Sequence, residues 1–248
     1  LRAVSTEGDG SAPGLQAVTM DLCAGQITGL AGVSGNGQAA LSDLLSGLRA
    51  PISGEMDVAG APISGWTPRT AIGHGIARIP EDRHHTGTIA DFTLAENAIL
   101  ESYATSFSRR GWMDWPRVRS HAEDLIETYD VRCPGPDVRI RLLSGGNMQK
   151  LILGRCLANG PRFLLANQPT RGLDEGAIAA VHAELLAARA EGAAILLISE
   201  ELEEAVRLSD RIQAIVKGRL SRPVDAADAD ARRLGLMMAG VWDDQDAA

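Results

Sequence analysis

The sequence predicts an α/β fold in which a parallel-sheet core carries an antiparallel β edge and an inserted α-helical subdomain. Three observations lead there. "GQITGLAGV" reads as a buried strand running into a glycine-rich loop and then a helix, "QAALSDLLSGL", whose apolar residues are Leu41, Leu44, Leu45 and Leu48. "RFLLAN" (162–167) and "AAILLIS" (193–199) are short apolar runs flanking the helical stretch "GAIAAVHAELLAARAEG", the alternation expected of a parallel sheet. Between these parts, residues 91–130 turn helical and more polar, with tryptophans at 112 and 115, as an insertion does.

The remaining segments fill in around this frame. Residues 1–20 alternate weakly about a Gly/Ser-rich turn at 8–14, as a β-hairpin does. Residues 52–80 read as short strands and turns ending in the apolar "GIARIP". "DRIQAIVKGRL" reads as a final hairpin and "DAADADARRLGLMMAG" as a peripheral helix. There is no internal repeat and no low-complexity tract. Four segments result: 1–90, the first part of the core with its β edge; 91–143, the helical subdomain; 144–216, the second part of the core; and 217–248, the hairpin end and peripheral helix.

With 248 residues, 45% of them hydrophobic, the chain is long enough for a sizeable core. The net charge of -8 is spread along the length, which argues against nucleic acid or an anionic lipid surface as main partner. The basic residues are nearly all arginine; Lys150 and Lys217 are the only lysines. Cys23, Cys133 and Cys156 are widely spaced and form no C-x-x-C pair, so neither a disulfide framework nor a zinc site is expected, and the cytosol fits best. His84 and His85, adjacent on a loop, read as solvated rather than metal-binding. The apolar runs fall far short of the ~20 residues that span a bilayer. No signal pattern is present at the N-terminus, so any membrane role works by docking.

Three motifs carry chemistry. In "GVSGNGQA", Gly32, Gly35 and Gly37 have the G-x-x-G-x-G spacing of a loop whose backbone N–H groups cradle phosphates at a helix start. Gln38 and Ala39 stand where such a loop carries Lys and then Ser or Thr. The same stretch also satisfies G-x-G-x-x-A over 35–40, with Glu55 and Asp57 near the offset of a ribose-binding acid, so a dinucleotide reading stays open. "LLSGGNMQKLILGR" (142–155) sets a Ser-Gly-Gly turn directly before a helix, where N–H groups and a hydroxyl at a positive helix end suit a terminal phosphate; Ser144 also suits a plain N-cap. "FLLANQPTRGLD" (163–174) is an apolar strand running into Pro-Thr-x-Gly-Leu-Asp.

Glycine loop, helical insertion, "LSGG", second strand and Leu-Asp loop, in that order, resemble the ATP-binding cassette family over essentially the whole length. "GVSGNGQ", "IPEDRH", "DFTLAEN", "LSGGNMQK", "QPTRGLD", "LLISEELEE" and "LMMAG" look more closely like the second, C-terminal cassette of the double ATPases that drive bacterial importers for nucleosides and simple sugars. "DVRCPGPD" leans towards nucleosides. The resemblance implies a P-loop NTPase core of RecA-like type, with Gly32, Ser34, Gly35, Asn36, Gly37, Gln38 and Ala39 at the nucleotide-binding positions.

Against the family pattern the departures gather in one place. Gln38 replaces the phosphate-binding lysine and Ala39 the hydroxyl that holds Mg²⁺. Asn167 replaces the metal-supporting Asp, Gln168 the Glu that polarises water, Glu200 the switch-loop His and Glu81 the loop Gln. No aromatic precedes Trp66 to stack on adenine. Losing a cation and two carboxylates together removes the electrostatics that phosphoryl transfer depends on.

In this family two cassettes meet head to tail, so Ser144, Gly145, Gly146, Asn147 and Gln149 are expected to serve the partner's ATP, with Asp174 at the dimer seam. ATP and Mg²⁺ are then held mainly by the partner, this chain's own site binds Mg-ATP weakly or not at all, and the chain alone has little or no ATPase activity. The complete cassette is expected to precede Leu1 on the same polypeptide, permease subunits to dock near residues 81–115, a substrate-binding protein to act indirectly, and the whole to lie peripherally on the cytoplasmic membrane face. A regulatory nucleotide-binding module and a dinucleotide-dependent oxidoreductase are the alternatives. Glu201, Glu203 and Glu204 read as exposed first turns of a helix, Trp112 and Trp115 as packing the insertion, with a membrane partner as the alternative, and Cys156 as core.

Overall fold

The computed structural model describes residues 1–10, 12–63 and 65–242. In chain order the elements are β1 (Arg2–Ser5), β2 (Ile27–Ala31), α1 (Gln38–Leu45), β3 (Ser53–Glu55), β4 (Asp57–Val58), β5 (Ala61–Pro62), α2 (Pro68–Gly73) and β6 (Ile76–Ile79). Then come α3 (Leu94–Ala98), α4 (Tyr103–Ser106), β7 (Ser108–Arg109), β8 (Trp112–Met113), α5 (Trp115–Thr128) and α6 (Gly145–Leu157). The last are β9 (Phe163–Asn167), α7 (Glu175–Ala190), β10 (Ala194–Ile198), α8 (Leu202–Leu208), β11 (Arg211–Val216), β12 (Arg219–Leu220), β13 (Val224–Asp225) and α9 (Ala231–Met238).

The fold is α/β with a mostly parallel central sheet, ordered β12-β11-β2-β10-β9-β6. β11, β2, β10 and β9 run parallel, while β12 and β13 pair antiparallel with β11. Every residue of β2 and β10 is buried, as strands covered on both faces require, which is why they read as unbroken apolar runs. Leu41 and Leu44 of α1 pack with Leu30, Leu196, Ile198 and Ile215; Leu234 and Met237 of α9 cover Ile212 and Ala214. Asp210 accepts a hydrogen bond from the Ile27 N–H at 2.8 Å and pairs with Arg189 at 2.6 Å, tying the entry of β2 to the last turns of α7.

Two compact units emerge. The first comprises residues 1–78, 161–168 and 185–248; the second comprises 79–160 and 169–184. The second unit holds α3, α5 and α6 in mutual contact, with Leu94, Met148, Leu151 and Ile152 fully buried. The helix after Ser-Gly-Gly, read from sequence as opening the second core segment, thus clusters with the insertion.

Other differences have local causes. The 1–20 segment is hairpin-like, with Val4 and Val18 exchanging backbone hydrogen bonds of 2.9 and 2.8 Å, but the ladder partner of β1 is β3. α1 ends at Leu45, so Leu48 falls beyond it and is exposed. α2, absent from the sequence reading, starts with Pro68 and a Thr67/Thr70 capping box. Trp112 and Trp115 do not pack the insertion: they are 82% and 54% exposed, Trp112 because the two-residue strands β7 and β8 offer too little surface to cover an indole, and Trp115 at the solvent-facing start of α5. Glu204 is buried while Glu201 and Glu203 are exposed, since α8 turns its second acid inward. Cys156 is core.

The short α3 depends on its ends. Thr93 Oγ1 accepts from the Glu96 N–H at 3.2 Å, and the Glu96 carboxylate accepts from the Thr93 N–H at 2.7 Å. Thr93→Ala is expected to destabilise the protein by about 1 kcal/mol in urea unfolding, the usual cost of losing such a cap.

Candidate functional site

The first unit gathers the glycine loop with Asn167, Gln168 and Glu200. Parallel pairing sets Ile198 beside Leu30 on one side and beside Asn167 on the other, so the loops leaving β2, β9 and β10 start level at the carboxyl ends of neighbouring strands. That is where α/β sheets bind ligands. Gln168 adopts a left-handed φ of 49°, donates its N–H to Ile198 O at 2.8 Å, and its Oε1 accepts from the Glu200 N–H at 3.5 Å. Asn167 is buried.

The loop itself is closely tied. Gly37 caps α1 at φ 116°, and a Cβ there would meet Gly218 Cα at 3.1 Å, so only glycine fits under the β11–β12 turn. Asn36 is held three ways: its Oδ1 accepts from the Lys217 N–H at 2.9 Å, its carbonyl accepts from the Gly218 N–H at 2.7 Å, and its Nδ2 donates to Val33 O at 2.8 Å. Gln38 folds back into the loop, its Oε1 accepting from the Asn36 N–H at 3.0 Å and its Nε2 donating to Val33 O at 3.0 Å. Ser34, Gly35 and Ala39 are exposed; Gly32 is buried against Ile215.

The second unit holds the other predicted surface. Ser144 caps α6: its Oγ accepts from the Asn147 N–H at 3.4 Å and from Asn147 Nδ2 at 2.9 Å. Asn147 Oδ1 in turn accepts from the Arg132 N–H at 2.8 Å, which fixes the amide against the hydroxyl. Ser144 is exposed, whereas Gln149 is 2% exposed, one turn further in. Asp174 caps α7, its Oδ1 accepting from the Ala177 N–H at 2.9 Å.

One residue that sequence reasoning missed binds this region together. Arg83 donates to Gly145 O at 3.4 Å and to Arg171 O, bridging the Ser-Gly-Gly turn and the loop before α7. Arg171 pairs with Glu81. Burial holds the Arg83 guanidinium below its usual pKa and the charge of Arg171 adds to this, while Asp82 opposes. Asp82 accepts from the N–H groups of His85 and His84, both at 2.9 Å, and these bonds, His85's foremost, lower its pKa. The "EDRH" stretch was the available signal, but Glu81 and His84 drew notice there and Arg83 did not.

A phosphate-type glycine loop at the carboxyl ends of a parallel sheet, with a Ser-Gly-Gly helix start and an Asp-capped loop in a second unit, defines a nucleotide-binding ATPase cassette. The sequence profile of the ABC transporter family matches residues 15–171, and the chain belongs to that family. It is 44% identical over 224 residues to the guanosine import ATP-binding protein NupO of Bacillus subtilis, covering 90% of this chain and 44% of that protein. It is 39% identical over 227 residues to the nucleoside import ATP-binding protein NupA of Lactococcus lactis, covering 91% and 45%. The chain thus spans just under half the length of these relatives. Among solved structures, an ATP-binding subunit of an ABC transporter superposes with a TM-score of 0.77 at 22% identity, over 96% of this chain and 98% of that one, which agrees on the fold. Family membership removes the dinucleotide reading of residues 35–40.

The family's cofactor is ATP with Mg²⁺, and the residues of this chain's own cradle do not fit the metal. Position 39 is a methyl group, positions 167 and 168 are carboxamides, and the Gln38 side chain, standing at the lysine position, is neutral and bonded within the loop. Among the described residues no helix is long and apolar enough to cross a membrane.

Proposed function

We propose that this chain is the non-hydrolytic cassette of an importer for nucleosides or simple sugars, lending its Ser144-Gly145-Gly146 turn to the ATP held by a complete partner cassette. One observation carries the reading: the charged groups of the cradle are replaced together, with Gln38 turned into the loop, while the signature turn is kept, with Ser144 exposed and capping α6 and Gly145 braced by Arg83. The partner supplies the lysine, the metal ligands and the water-polarising carboxylate. This chain supplies backbone N–H groups and a hydroxyl at a helix N-terminus, which stabilise anionic charge developing on the terminal phosphate.

The similarity to nucleoside import proteins supports the nucleoside or sugar class. Their greater length supports a second cassette on the same polypeptide, preceding this one. Trp112 and Trp115, exposed in the insertion, support docking of permease subunits near residues 81–115, since large solvent-facing aromatics mark interaction surfaces. A substrate-binding protein acts through that permease. This reading places the cassette on the cytoplasmic membrane face, as a peripheral subunit.

The chain alone is expected to show no Mg-ATPase activity above background, and Gln38→Lys is expected to leave it there, because positions 39, 167 and 168 still lack metal and water ligands. Turnover assays with and without the complete cassette decide the matter; robust hydrolysis by the chain alone sinks the reading.

A further inference from the structure

We propose that Gln38 is an internal latch, its carboxamide filling this chain's own phosphate cradle and holding the glycine loop shut against anions. The inference rests on the non-hydrolytic reading and gives it a physical cause beyond missing charge. A phosphate loop works through N–H donors aimed into its concavity. Here the Asn36 N–H already donates to Gln38 Oε1 at 3.0 Å, and Gln38 Nε2 donates to Val33 O at 3.0 Å, so one side chain links both limbs of the loop. The half-buried amide lies against the end of β2: a Cβ added at Gly32 would come within 2.8 Å of Gln38 Nε2.

Glutamine suits this task as lysine does not. Its side chain offers an acceptor as well as a donor, so it satisfies an N–H and a carbonyl of the loop at once, whereas an ammonium only donates. Lysine also brings a charge that follows an incoming phosphate. The outer face leaves the loop little room to swing aside, because Asn36 is bonded to Lys217 and Gly218 of the β11–β12 turn. A phosphate must therefore displace the carboxamide, break two hydrogen bonds and gain no cation.

The test is amide hydrogen exchange on the intact ATPase that carries this chain, following the peptide over residues 30–41 with magnesium-free ADP or inorganic pyrophosphate as probe. In the wild type neither probe is expected to protect the loop. In Gln38→Ala protection is expected to appear, at pyrophosphate concentrations about tenfold below any that act on the wild type, the scale of two lost competing hydrogen bonds. Gln38→Met, similar in length but with neither polar group, should behave like Gln38→Ala, and exchange over 194–198 reports whether each variant is folded. Gln38→Glu keeps the acceptor for Asn36, adds repulsion, and should leave the loop closed to both probes.

Equal protection of wild type and Gln38→Ala by pyrophosphate overturns the latch, as does a lack of protection in both folded variants. The two ideas fail separately. Mg-ATP turnover by the chain alone sinks the non-hydrolytic reading, whereas protection of the wild-type loop without turnover sinks the latch only.

Discussion

Gly145→Asp, placed in the proposed assembly of this chain with a complete cassette, is expected to lower ATP turnover by about 100-fold or more, because a carboxylate set against the terminal phosphate opposes the charge stabilisation whose loss costs about that much. The substitution separates fold from function. A Cβ at position 145 meets nothing closer than Arg83 Nη1 at 3.7 Å, so the residue has room within its own chain. An aspartate at the first turn of α6 also suits the helix dipole. Thermal unfolding of the chain should therefore be nearly unchanged while turnover collapses, because on the proposed reading the new carboxylate would face the partner's triphosphate. Unchanged turnover would count against the lending of the turn.

The largest expected loss of stability lies elsewhere in the second unit. Arg155 is 6% exposed on α6, and its guanidinium donates to Asn97 O and Gly87 O, both at 3.0 Å, with Glu101 at 3.6 Å. Asn97 is itself fully buried, its side chain bonded to the Ile89 N–H at 2.8 Å and to Thr93 O at 2.9 Å. Arg155→Met leaves two buried carbonyls and a half-buried carboxylate without their cation. Unfolding free energy from urea titration should fall by roughly 3–5 kcal/mol, as when one partner of a buried charge network is removed. A loss below about 1 kcal/mol would mean that water replaces the guanidinium readily.

What could be read ahead of the structure follows from how local each signal is. β2, β9 and β10 are legible because strands covered on both faces are short apolar runs, and α7 because it occupies the stretch of sequence that joins two parallel strands. α2 was legible too and was overlooked: Thr67, Pro68 and Thr70 are a helix-start pattern. The β7–β8 hairpin carried a similar clue in Arg110-Gly111, both of which take positive φ, as a tight primed turn requires. Trp112 misled because a tryptophan in a helical region suggests packing, and only the size of the hairpin shows that nothing can cover it.

In the site, identity was legible and geometry was not. That Gln38, Ala39, Asn167 and Gln168 are neutral is plain from the residues. That Gln38 turns inward depends on a loop shape set where Asn36 meets Lys217 and Gly218, 181 and 182 positions further along the chain. The role of Arg83 depends on carbonyls 62 and 88 residues distant, beyond any spacing rule.

Because a single guanidinium bonds the backbone at both Gly145 and Arg171, those two segments are clamped to each other as one jaw rather than held as two separate pieces. Glu81, fastened to Arg171 from the side, is the handle of that jaw. If a permease docks there as proposed, its push on Glu81 would reach both lips of the jaw together.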